Sequence, residues 1–117
     1  MSKPGVYKIK DHYKGDTFDG VEFTILDGMD NSPINITNSA IKIQFRKSSN
    51  TGNLVKEINI GSGITIINAI GGVFRINSFL LNWDSGIHYY DVQITFPNNV
   101  VKTYIKGEIL IIQDTTN

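Results

Sequence analysis

A chain of 117 residues carries a single domain's worth of core, and its 40 % apolar and 19 % charged composition excludes both a multi-domain enzyme and an intrinsically disordered segment. Eleven basic residues offset eleven acidic ones, so no net field draws the chain to a phosphate backbone or an anionic bilayer, and neither nucleic acid nor membrane is an expected partner. The absence of cysteine excludes disulfides, thiolate zinc sites and thiol chemistry.

The start, Met1-Ser2-Lys3-Pro4-Gly5, lacks the apolar stretch of a secretory signal, so the chain reads as soluble and unprocessed, with residues 1–12 as an arm. Beyond it, 19 Ile, 12 Asn and 11 Gly against 2 Ala favour strands and turns over helices. Period-two alternation is the sign of a half-buried strand, because successive side chains leave opposite faces. Val21, Phe23 and Ile25 alternate with Glu22 and Thr24. Ile41, Ile43 and Phe45 then oppose Lys42, Gln44 and Arg46, and Ile58 and Ile60 oppose Glu57 and Asn59. Phe74 and Ile76 flank Arg75. The clearest strand is 87–96, where His88, Tyr90, Val92, Ile94 and Phe96 share an inward face while Ile87, Tyr89, Asp91, Gln93 and Thr95 point outward.

Turn-forming clusters divide these runs at short intervals: Asp27 to Pro33, Ser48 to Asn53, Gly71-Gly72, Asp84 to Gly86 and Pro97 to Asn99. Gly61-Ser62-Gly63 reads as a hairpin turn, since it lacks the Lys and the following helix of a phosphate loop. The window Asn77 to Asp84 is too short for a stable helix and reads as a crossover between strands. Val100 to Ile112 reads as a strand, a bend or bulge at Gly107, and a last strand buried on both faces or covered by a neighbour; residues 113–117 read as a second arm. The sum is about seven strands, which suits an all-β, antiparallel sandwich.

Catalytic signals are sparse. His88 lies on an apolar face and reads as a core-rim residue bonded to backbone; His12 reads as solvent-facing. Asp11, Asp16 and Asp19 flank a turn, and Asp27, Asp30 and Asn31 lack calcium-loop spacing. No cofactor or metal is expected. The remaining candidates are contact residues: Trp83, Ile87, Tyr89 and Tyr104, with Lys102 and Lys106 as the charges guarding a free edge over residues 100–106. Trp83 divides evenly between an exposed contact residue and an inward-packed one.

In chain order, short motifs then accumulate: Gly15-Asp16-Thr17-Phe18, Pro33-Ile34-Asn35-Ile36-Thr37 before the Ile41 to Lys47 strand, Gly63 to Ile66 before Gly72 to Ile76, Ser85 to Asp91, and Gly107 to Ile111. This order resembles the small immunoglobulin-like β-sandwich structural proteins of tailed bacteriophages and prophages, including the N-terminal, virion-attaching domain of baseplate upper proteins. The resemblance spans residues 15–114. It implies a non-enzymatic virion component that docks to capsid, neck, tail or baseplate proteins, and a symmetric homo-oligomer. Two departures stand out: His88 occupies the corner where immunoglobulin-like sandwiches carry a tyrosine, and the chain ends where the baseplate proteins continue into a helical region. The alternatives are a carbohydrate-binding module that stacks sugars on Trp83 or Tyr89, and a small hydrolase built on His88.

Overall fold

A computed structural model describes residues 5–48 and 52–113, and among these the chain forms strands and no helix. The strands are β1 (Gly5–Val6), β2 (Ile9–Tyr13), β3 (Thr17–Phe18), β4 (Val21–Thr24), β5 (Ala40–Lys47), β6 (Leu54–Ile60), β7 (Gly63–Asn68), β8 (Val73–Ile76), β9 (Phe79–Leu80), β10 (Gly86–Thr95) and β11 (Val101–Ile112). Nine of them make one sheet in the order β1-β11-β10-β5-β6-β7-β8-β4, with β2 also on β11, and β3 pairs with β9 apart from it.

The all-β expectation therefore holds, whereas the count of about seven antiparallel strands does not. Eight strands have four or more residues. Three pairings, β1–β11, β2–β11 and β6–β7, are parallel. Residues 5–12, expected in an arm, lie instead along β11, with Gly5 opposite Ile105 and Ile9 opposite Ile109. The expectations for residues 1–4 and 114–117 fall outside the described residues.

Alternation builds the interior. In β5, Ile41, Ile43 and Phe45 are buried, and in β10 His88, Tyr90, Val92 and Ile94 are, because those faces turn into one shared core while the polar sets stay wet. The sheet curls until its ends meet: the ring of Tyr7, beside β11, stands edge-on to Phe23 of β4 with centroids 5.3 Å apart. Between β6 and β7 the chain changes direction. There Gly61-Ser62-Gly63 is a corner and not the expected hairpin, since β6 and β7 run parallel where they touch. Asn59 and Ser62 exchange backbone hydrogen bonds of 3.0 and 2.9 Å across it. Gly63 sits at φ +104°, and a Cβ there would lie 2.6 Å from Ile58 Cγ2, so the corner requires glycine. Ile60, expected inward, is 40 % exposed because it lies at this corner.

The window Asn77 to Asp84 is extended, with Phe79–Leu80 paired to Thr17–Phe18 and Leu81 fully buried. β11 is a single strand through Gly107. Its bulge falls at Tyr104, the residue left over when Val92 pairs with Ile105 and Gln93 with Thr103. Ile109 and Ile111 are buried while Leu110 and Ile112 are half-buried, so the last strand alternates after all.

One polar contact closes the core across the sequence. The Tyr90 hydroxyl donates to the Tyr7 carbonyl oxygen at 2.5 Å, and burial pushes the Tyr90 phenol pKa well above its ordinary value. Tyr90→Phe is expected to cost about 1 kcal/mol, because the carbonyl loses its donor at a half-enclosed position. Urea unfolding of the two proteins measures it.

Candidate functional site

The outer face of β5, β10 and β11 collects the side chains that the core does not use. Register decides which of them meet. Ile87 stands opposite Leu110, Tyr89 lies between Glu108 and Arg46, and Asp91 lies between Lys106 and Gln44. β2 adds Tyr13 beside Ile112. A strip of Tyr13, Ile112, Leu110, Ile87 and Tyr89 therefore runs over the face, with Tyr13 51 % and Ile87 42 % exposed.

Below Tyr89 the face is polar. Arg46 donates to Gln44 Oε1 at 2.9 Å and to the Gly52 carbonyl at 3.0 Å, and Gln44 donates in turn to Glu57 at 2.7 Å. Those donors, with Asn59 beyond, hold the Glu57 carboxyl below its ordinary pKa. A pocket of about 290 Å³ opens beside this rail, lined among others by Lys8, Arg46, Tyr89, Asp91, Lys106 and Glu108. Among the described residues, the side chains of Tyr89, Asp91, Lys106 and Glu108 have no hydrogen-bond or ion-pair partner. On the inward side of the sheet, where Lys47 stands opposite His88, Lys14 and Lys47 both approach Asp84, at 3.8 and 2.8 Å. The Lys47 bond is the main reason the Asp84 carboxyl stays below its ordinary pKa.

The residues singled out from sequence do not form one patch. Ile87, Tyr89 and Lys106 share the outer face. Trp83 packs inward, its ring centroid 5.0 Å from Phe45, 5.8 Å from Phe79 and 5.2 Å from His88. Tyr104 turns edge-on to Phe96 with centroids 6.2 Å apart, and burial raises its phenol pKa with a smaller contribution from Asp27. Lys102 is exposed on the stretch of β11 that β10 alone flanks. Lys106 is not on a free edge, because β1 pairs there. The free edge thus covers Val101 to Tyr104 and excludes residues 105 and 106. Tyr13, Leu110, Ile112, Arg46, Asp91 and Glu108 were not legible as site residues, since only cross-strand register brings them to Ile87 and Tyr89.

His88 is 0 % exposed. Its Nδ1 donates to the Gly86 carbonyl at 3.3 Å, and its Nε2 is buried without a partner. The enclosed imidazole packs against the Trp83 ring, with centroids 5.2 Å apart. Burial lowers the His88 pKa, and the Gly86 bond only partly opposes this. The unfolded chain therefore takes up a proton that the folded chain resists, starting near the ordinary value of 6.5, so stability falls as the pH drops below that value. Urea midpoints of the native protein should fall between pH 7.5 and pH 5, by an amount that His88→Gln reduces. His12, expected to face solvent, is half-buried against Phe18 with ring centroids 5.2 Å apart, its Nδ1 donating to the Lys10 carbonyl at 2.6 Å.

The acidic loop is a set of turns. Asp27 Oδ1 accepts from Met29 N at 2.8 Å, and Asp30 Oδ1 accepts from Ser32 N at 2.9 Å. Among the described residues no group of three or more His, Cys, Asp or Glu side chains is placed to hold a metal ion. No family model matches the chain, and no curated protein matches it.

Proposed function

We propose that the protein is a non-enzymatic docking component of a tailed-phage particle, folded as an immunoglobulin-like sandwich and held to capsid, neck, tail or baseplate proteins. In this reading the curled sheet divides at the Gly61–Gly63 corner into one layer of β2, β11, β10, β5 and β6 and a second of β7, β8 and β4. The phage assignment rests on the order of the sequence motifs. The docking assignment rests on one observation: a strip of apolar and aromatic side chains, with Tyr13 and Ile87 exposed and Tyr89, Leu110 and Ile112 half-buried, beside Asp91, Lys106 and Glu108, whose side chains have no partner among the described residues. Such a strip costs solubility unless something covers it, and an apolar centre within a polar rim is the composition of a protein contact.

A glycan-binding module asks for open ring faces at Trp83 and Tyr89. Trp83 gives its ring to Phe45, Phe79 and His88, which leaves Tyr89 alone and disfavours that alternative.

Mass spectrometry and immunogold labelling of purified particles test the docking reading. The protein should be found in intact virions, and Ile87→Lys, which alters only an exposed side chain of the strip, should lower its incorporation. Its absence from intact virions contradicts the proposal.

A further inference from the structure

On the inward side, the start of β10 holds a group that the outer face does not use. His88 is fully enclosed, its Nε2 has no partner among the described residues, and the Trp83 ring packs against it with centroids 5.2 Å apart. An enclosed polar atom without a partner costs free energy, and opening relieves that cost. What encloses His88 is a short strap. Residues 82–85 belong to no strand and, among the described residues, make no backbone-to-backbone hydrogen bond. Leu81 ties one end: it is fully buried, and its backbone bonds Gly15 and Asp16 at 2.8 and 2.9 Å. At the other end Gly86 sits at φ +120°, a conformation that favours glycine, with open space beside it. Between these ends the strap is held by the Trp83 ring, against Phe45, Phe79 and His88, and by the exposed carboxylate of Asp84, which gains little from Lys47 and Lys14.

We infer that the strap from Asn82 to Ser85 is a pH-operated cover: charging His88 releases Trp83 and uncovers the rings beneath it. The inference is independent of docking at the outer face. The charged form of an enclosed imidazole is penalised by lost hydration, and lifting Trp83 admits water to it. Lys47, opposite His88 on β5, adds repulsion, and Asp84 in the strap opposes it in part. Lys14 acts only from beyond Asp84, and β11 sets the apolar Ile109 opposite His88. His12 on β2 turns to the Phe18 ring, and Lys56 on β6 lies over the Phe79 ring. Lys47 and Lys14 hold the Asp84 carboxyl below its ordinary pKa, so it stays charged while His88 titrates and the transition belongs to the imidazole. The open form takes up its proton near the ordinary value of 6.5 and the closed form resists it, so the closed form prevails above that value and opening is favoured below it. Once open, the chain presents Trp83, Phe45 and Phe79 as an aromatic contact surface that neutral solution keeps covered.

Trp83 is the single tryptophan, so its fluorescence reads the strap directly. Acrylamide quenching of the full chain should at least double between pH 8 and pH 5, with a midpoint below 6.5, while the far-ultraviolet dichroism of the same samples holds. His88→Gln, which has no charge to take up, should abolish the step. Quenching that acid leaves unchanged overturns the inference. So does quenching that rises only as the far-ultraviolet signal is lost, which is unfolding of the whole chain, and so does a step that persists in His88→Gln. If His88→Gln is misfolded at pH 8, proton NMR of the native chain decides: the His88 ring should titrate at the pH where Trp83 is released, and titration at a different pH overturns the inference.

Discussion

Gly107→Ala should destabilise the fold by about 3 kcal/mol, against the usual sign of such a change. Glycine inside a strand ordinarily costs roughly 0.5 to 1 kcal/mol relative to alanine, so the substitution would normally help. Here a Cβ would collide with the Tyr7 carbonyl oxygen and lie 2.7 Å from Cε1 and 2.8 Å from the hydroxyl of Tyr90. Backbone and ring must both shift, and the hydrogen bond between Tyr90 and Tyr7 is lost with them. Urea unfolding should show a lower midpoint at an unchanged slope, the mark of lost stability without a new denatured state. Neutral or improved stability would mean that the N-terminal segment does not lie against β11 at this point.

Phe45→Ala is the second large effect, with an expected cost of about 4 kcal/mol. Phe45 is 1 % exposed and joins three ring neighbours: Trp83 at 5.0 Å, Tyr90 at 5.7 Å and Phe79 at 6.4 Å between centroids. Deleting its ring removes the transfer free energy of the side chain and leaves a cavity that rigid neighbouring strands close only in part. The near-ultraviolet dichroism of Trp83, the single tryptophan, should collapse in parallel, since Phe45 is its nearest ring. A loss below about 1 kcal/mol would contradict the enclosed aromatic cluster.

What the sequence made legible was the alternating part of the fold. β5 and β10 expose a clean period of two, and each inward residue read from that period in Ile41 to Phe45 and His88 to Ile94 is buried. Three features escaped because their causes lie far along the chain. β2 buries only Ile9 clearly, so Ile9–Tyr13 has no periodic signal, and its place depends on parallel pairing with a strand a hundred residues away. Gly61-Ser62-Gly63 has the composition of a hairpin, and what makes it a corner is Ile58 beneath Gly63. Gly107 looks like a bend because nothing nearby shows that Tyr7 passes over it. The site follows the same division. Ile87 and Tyr89 were found from alternation, whereas their neighbours Leu110, Glu108 and Arg46 depend on register across strands. Trp83 followed no period, and its inward turn is set by Phe45, Phe79 and His88.

Core and outer face are thus two consequences of one pattern. The even residues of β10 place His88, Tyr90, Val92 and Ile94 in the core, and the odd ones lie on the outer face. A chain without cysteine allows this to be measured residue by residue. Single cysteines placed from position 87 to position 94 should react with a water-soluble maleimide in dilute protein at 87, 89, 91 and 93, and only upon unfolding at 88, 90, 92 and 94. In assembled particles the labels at 87 and 89 should become protected. Equal reactivity at odd and even positions, or undiminished labelling of 87 and 89 after assembly, would contradict the account.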